Sequence, residues 1–144
     1  MDQRLSIVTL GVTDIARSLA FYEALGWHGQ TMEETVFFQA GGLAVILWSR
    51  DKLAADAGLA DTAPAGFGGI TLAHNVRSNE EVDEIIAVAA RAGAIVTHPP
   101  APTFYGGYAG YFTDLDGHPW EIAHNPGFTL AADGSLVLPD FDNL

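Results

Sequence analysis

His118-Pro119-Trp120-Glu121-Ile122-Ala123-His124 sets two imidazoles around one carboxylate, the residue types that hold zinc or iron. A lone glutamate among apolar neighbours can instead act as a general base. Spacing decides between these chemistries. Asp114-Leu115-Asp116-Gly117 has the Asp-Gly signature of a hairpin turn between apolar runs. One strand is therefore expected over Phe104–Thr113 and its return over His118–His124. Side chains alternate along a strand. His118, Trp120, Ile122 and His124 then face one way, while Pro119, Glu121 and Ala123 face the other. Pro119 forbids a helix that would reunite them. Glu121 is left as the single catalytic candidate. On the preceding strand Tyr105 and Tyr111 share one face, and Phe104, Tyr108 and Phe112 the other; one set could stack on a flat ligand.

The remaining histidines do not assemble a site. His74 is one residue out of phase with Gly69 and Thr71, and His28 and His98 fall at strand and loop edges, where surface imidazoles are the ordinary reading. There is no cysteine, which excludes disulfides, thiolate catalysis and cysteine-bound zinc. No GxSxG turn or P-loop is present. Gly106, Gly107 and Gly110 are followed by no helix whose N-terminus could hold a phosphate.

The elements that must position Glu121 repeat along the chain. Leu5–Val12 reads as a strand, and Thr13-Asp14 caps a helix closed by Gly26. Phe21, Leu25, Tyr22, Ile15 and Leu19 form its apolar arc. Three strands are expected around Trp27–Thr31, Thr35–Ala40 and Leu43–Ser49, then a short helix over Asp51–Gly58. Thr62–Gly69 is loop-like and joins two halves. The order then returns: a strand over Ile70–Val76, a capping box at Ser78–Glu81, and a helix buried through Val82, Ile85, Ile86 and Ala89 and closed by Gly93. A strand starts at Ala94–Thr97 and is broken by His98-Pro99-Pro100, and the hairpin follows. The fold class expected is α+β, with two tandem βαβββ units (about 4–60 and 67–126) forming a curved mixed sheet around a cavity, and a C-terminal tail to residue 144.

The 144 residues suit one domain, 49% hydrophobic, with 18 acids against 6 bases and a formal charge of −12. Scattered arginines and one lysine do not make a nucleic-acid surface. No apolar run approaches the roughly 18 residues of a membrane span. Together with an N-terminus lacking an export signal, this sets the expectation of a cytoplasmic protein. The acidic balance suits solubility, and also a cationic ligand.

Two stretches, VTLGVTDIARSLAFYEALGW (Val8–Trp27) and GYFTDLDGHPWEI (Gly110–Ile122), resemble the vicinal oxygen chelate superfamily, which includes glyoxalases, bleomycin-resistance proteins and extradiol dioxygenases. The resemblance implies a small-molecule ligand in the cavity and a homodimer. In catalytic relatives four positions hold a divalent metal; they fall here on Ile7, Leu47, Gly69 and Glu121. Three of these carry no ligand side chain, so no cofactor is expected. The cavity lining is assigned to Thr9, Leu47, Thr71, Tyr105, Tyr108 and Tyr111. The favoured expectation is a binding protein for a small aromatic or cationic molecule, without the family metal. The alternative is a lyase or dioxygenase-type enzyme, metal-free with Glu121 as base or using an atypical metal site.

Overall fold

The computed structural model describes residues 1–62 and 66–143, so part of the loop expected over Thr62–Gly69 lies outside the described residues. The chain forms two compact units, Met1–Gly69 and Ile70–Leu144. No helix is long and apolar enough to cross a membrane, among the described residues.

The first unit runs β1 (Ile7–Val12), α1 (Ile15–Ala24), β2 (Gly29–Met32), β3 (Thr35–Ala40), β4 (Leu43–Ser49) and α2 (Arg50–Asp56). Its sheet has the order β1-β4-β3-β2, with β1 parallel to β4 and the other pairs antiparallel. Asp14 caps α1 by accepting the Arg17 amide at 3.0 Å. Gly26, at φ 100°, closes it, and the Trp27 amide reaches back to the Tyr22 carbonyl at 3.0 Å. Leu10, Val12, Val36, Phe38, Val45 and Leu47 are buried together with Phe21 and Tyr22 of α1. Tyr22, Trp27 and Phe38 meet ring to ring at 5.3–5.7 Å.

The second unit repeats the order: β5 (Leu72–Asn75), α3 (Asn79–Arg91), β6 (Ile95–Pro102), β7 (Tyr108–Thr113) and β8 (Pro119–His124). Its sheet has the matching order β5-β8-β7-β6, with β5 parallel to β8. The fold is thus α+β, built of two βαβββ units, each with its own four-stranded mixed sheet. Ser78 accepts the Glu81 amide at 3.2 Å, as a capping box requires. Glu81 reaches one residue further back than the motif implies, taking the Arg77 amide at 2.8 Å. Val82, Ile86 and Ala89 are buried. Val82 and Ile86 each contribute roughly 1.5–3 kcal/mol by leaving water.

Two expectations need correction. His98-Pro99-Pro100 does not break the strand: β6 continues to Pro102 with register shifts on either side of His98. It is an edge strand, where a missing N–H costs no ladder bond on the open side. Nor does the next strand begin at Phe104. Residues 103–107 form the turn, closed by Gly106 at φ 87° and by the Gly107 amide bonding the Thr103 hydroxyl at 2.9 Å. The tail folds back as a small hairpin, β9 (Thr129–Leu130) with β10 (Leu136–Val137). Arg77 donates to the carbonyls of Leu130 at 3.3 Å and Ala131 at 2.6 Å.

Candidate functional site

The β7–β8 hairpin fixes the register of the site. Asp114 is buried and its Oδ1 accepts the amides of Asp116 at 3.0 Å and His118 at 2.9 Å. With the turn held this way, Tyr111 lies directly opposite Glu121 and Phe112 opposite Trp120. One sheet face packs under α3. Gly110 belongs to it, because a Cβ there would come within 3.2 Å of Ile86. So does Tyr108, whose hydroxyl donates to Asp83 on α3 at 2.6 Å, a bond that raises the phenol pKa. His124 also belongs, its Nδ1 lying 2.8 Å from Asn79 Oδ1. His74 pairs with Ile122 and shares that side. Both His74 and His124 are therefore turned away from Glu121.

The opposite face carries the chemistry. Across β5, β8, β7 and β6 the paired residues form one row, Ala73, Glu121, Tyr111 and His98. The Tyr111 hydroxyl donates to Glu121 Oε2. That bond, then partial desolvation and the carboxylate charge, with a further contribution from Tyr105, push the Tyr111 pKa up to about 12. The phenol therefore stays protonated at neutral pH, its proton directed at Glu121. Edge on to Tyr111, at 6.2 Å between ring centroids, sits His98. Its Nδ1 lies 2.9 Å from the Pro99 carbonyl. A carbonyl oxygen only accepts, so Nδ1 carries the proton of this bond, and in the tautomer that it selects Nε2 is the acceptor. Beside this row, the 103–107 turn presents Phe104 and Tyr105 in edge-to-face contact at 5.2 Å, Phe104 being fully exposed.

The residues assigned from the sequence divide accordingly. Glu121 and Tyr111 are brought together, with Tyr105 nearby and Thr71 leading into β5 in phase with Ala73. Tyr108 does not join them, because it faces α3. In the first unit Thr9 and Leu47 lie on opposite faces of one sheet, since Thr9 pairs with Ile46 and Leu10 with Leu47. Leu47 is 0% exposed in the α1 core and lines no open site. A one-residue slip in phase puts a side chain on the wrong side of a sheet. His98 was passed over because two prolines hid the strand that carries it.

The units also report on each other. Val12 and Val76 precede equivalent helix caps, so Thr9 corresponds to Ala73. Following the ladders from there, Thr9, Ile46, Phe37 and Gln30 form the first unit's row, matching Ala73, Glu121, Tyr111 and His98. The residue equivalent to Glu121 is therefore Ile46, not Leu47, and the residue equivalent to Ile7 is Thr71, not Gly69.

A divalent metal does not fit these residues. Ile7, Ile46 and Leu47 have no donor atom, Gly69 has no side chain, Thr71 offers only a neutral hydroxyl, and one oxygen of Glu121 already accepts from Tyr111. Among the described residues no three histidine or acidic side chains converge. On the α1 side, the first unit also has an open groove of about 620 Å³ between Val12, Leu19, Val36 and the Glu34–Lys52 ion pair. None of the assigned residues lines it.

Comparison with known proteins places this geometry in context. The profile of the Glyoxalase/Bleomycin resistance protein/Dioxygenase superfamily matches residues 4–122. A solved glyoxalase-related enzyme from Fulvimarina pelagi is 36% identical, with a TM-score of 0.88 over 96% of this chain and 99% of that one. A hypothetical protein from S. aureus is 28% identical, with a TM-score of 0.76 over 87% and 95%. The lactoylglutathione lyase of Agrobacterium tumefaciens, 20% identical with a TM-score of 0.62 over 86% and 95%, shares the fold. No curated protein matches the chain.

Proposed function

Because the chain belongs to the Glyoxalase/Bleomycin resistance protein/Dioxygenase superfamily, we propose that it binds a small aromatic or cationic organic molecule on the second unit's sheet face opposite α3, without the family metal. The observation that carries this reading is the Tyr111–Glu121 pair. A carboxylate that must hold a divalent cation needs oxygen lone pairs and two or more further ligands around it. Here one oxygen is engaged by a phenol, and the flanking rows (Thr71, Pro119 and Thr113 on one side, Asn75, Ala123 and Ala109 on the other) hold no second carboxylate or imidazole. The same pair suits an organic ligand. Tyr111 orients Glu121, whose free lone pairs accept from ligand N–H or O–H groups, and the Tyr111, Tyr105 and Phe104 rings provide aromatic surface. The acidic balance of the chain draws cations toward that carboxylate.

Benzamidine, a flat aryl cation, tests this reading by calorimetric titration. Wild-type protein is expected to bind it, and Glu121→Gln, which keeps the shape and removes the charge, to weaken binding about tenfold or more, the worth of a charged hydrogen bond. The melting temperature should hold or rise in the variant. Equal binding by the two proteins would make Glu121 a relic of the family site.

The superfamily also contains enzymes, and the Fulvimarina pelagi neighbour bears that description. Under that second reading Glu121 is a metal-free base, with Tyr111 returning the proton. Exchange of an acidic C–H proton of a bound carbonyl compound with deuterated solvent, lost in Glu121→Gln, would favour it over binding alone.

A further inference from the structure

We propose that His98 is a specificity-determining residue of this face, and that the ligand class is a flat organic cation bearing hydrogen-bond donors at both ends. The inference rests on the reading of Glu121 and Tyr111 as a ligand-binding pair, and it adds a second polar end to that site. Three observations carry it. First, His98 and Glu121 flank Tyr111 in one row across adjacent strands. Strands lie about 4.8 Å apart, so their backbones are separated by roughly 10 Å, about the length of a substituted aromatic ring with its two hydrogen bonds.

Second, the row offers acceptors. The Tyr111 proton is directed at Glu121 and the His98 Nδ1 proton at the Pro99 carbonyl. Glu121 oxygens, the Tyr111 oxygen and His98 Nε2 are what remain for a ligand. A ligand bearing acceptors at both ends would leave them unpaired, which is costly once water is displaced. An amine or amidinium at each end satisfies them. Third, the His98 ring is held on two sides. It stands edge on to Tyr111, and the bond to Pro99 sets its tautomer. Pro99 and Pro100 stiffen the strand at that point, with fixed φ and no N–H to pair elsewhere. The register shifts on either side of His98 supply the local bend that aims a side chain from an edge strand.

Ala73 is small at the far end of the same row. A small side chain there suits a branched cationic group such as an amidinium on Glu121, and Tyr111, which stands between Glu121 and His98, offers its ring for stacking. The predicted pose puts the amidinium on Glu121, the aromatic ring over Tyr111 and the second donor on His98 Nε2.

The test compares benzamidine with 4-aminobenzamidine, which adds one donor at the opposite end of the ring. Wild-type protein is expected to bind the amine about three- to tenfold more tightly, the worth of one hydrogen bond. His98→Phe keeps a ring against Tyr111 but removes both nitrogens, and should abolish that preference, read as the ratio of the two probes' affinities within the same variant. His98→Gln, whose amide oxygen reaches the Nε2 position, should restore part of it. His98 is exposed, so both variants should fold, which melting curves will check. A preference that survives in His98→Phe overturns the role of His98 and leaves the Glu121 reading intact. Benzamidine binding that is indifferent to Glu121→Gln overturns that reading instead. Failure of wild-type protein to bind either probe overturns the proposed cationic class, and this inference with it.

Discussion

At the scale of single residues the Tyr111–Glu121 bond has a measurable signature. Ordinary tyrosine titrates near 10, whereas Tyr111 is raised to about 12. A group whose pKa is raised by folding stabilises the fold while it holds its proton. That contribution is complete below pH 10 and is lost as pH rises through about 12. Ultraviolet titration of wild-type protein should show a phenol that ionises near pH 12, and Glu121→Gln should move that step down by weakening the bond and removing the charge. Which tyrosine meets Glu121 could not be read from the sequence. Alternation placed Glu121 and Tyr111 on unassigned faces of two strands, and only the hairpin register, set by buried Asp114, brings them opposite each other. The faces of β8 were legible because a strand of known phase has only two. Leu47 and Tyr108 were misassigned for the complementary reason, since nothing local says which face a helix covers.

At the scale of elements, the signals that held were those with a mechanism confined to a few residues. The Asp14 and Ser78 caps, the closing Gly26 and Gly93, and the Asp114–Gly117 turn all satisfy backbone groups within a few residues of themselves. What failed depended on position in a sheet. Proline breaks a central strand but is tolerated at an edge, so the fate of Pro99-Pro100 turned on a topology that sequence alone did not supply. Ser78 supports α3, and through Asp83 and Asn79 that helix meets Tyr108 and His124 of the site's own strands. Ser78→Ala should destabilise the protein by about 1 kcal/mol, as loss of an N-cap does. Urea unfolding will measure this, and benzamidine affinity should stay unchanged, because the cap lies on the helix side of the sheet.

At the scale of the whole molecule, two expectations follow from what the sheets expose and omit. The outer strands β1 and β2 of one sheet and β5 and β6 of the other each leave one side unpaired within their own sheet. Exposed edges invite a second copy, and a two-fold dimer is the commonest closed solution. Light scattering should give twice the chain mass at micromolar concentration; a monomer mass independent of dilution would reject the dimer. Metal content is the other expectation. Elemental analysis of purified protein should find far less than one zinc, nickel, iron or manganese per chain, and chelation should leave benzamidine affinity unchanged. Stoichiometric metal lost in Glu121→Ala would reverse this view of the site.

The two matched rows have one more consequence, which concerns inheritance. A chain made of a duplicated unit carries its own control experiment. Where the copies agree, the fold sets the residue; where they differ, one copy has been put to a separate use. Thr9 and Ala73 agree in being small. Phe37 differs from Tyr111 in the hydroxyl alone, and Ile46 sets a branched aliphatic side chain where Glu121 has its carboxylate. The carboxylate and the hydroxyl are present together in one copy and missing together from the other. That is the pattern expected of two groups that work together, and a change that removes either should leave its partner without a role.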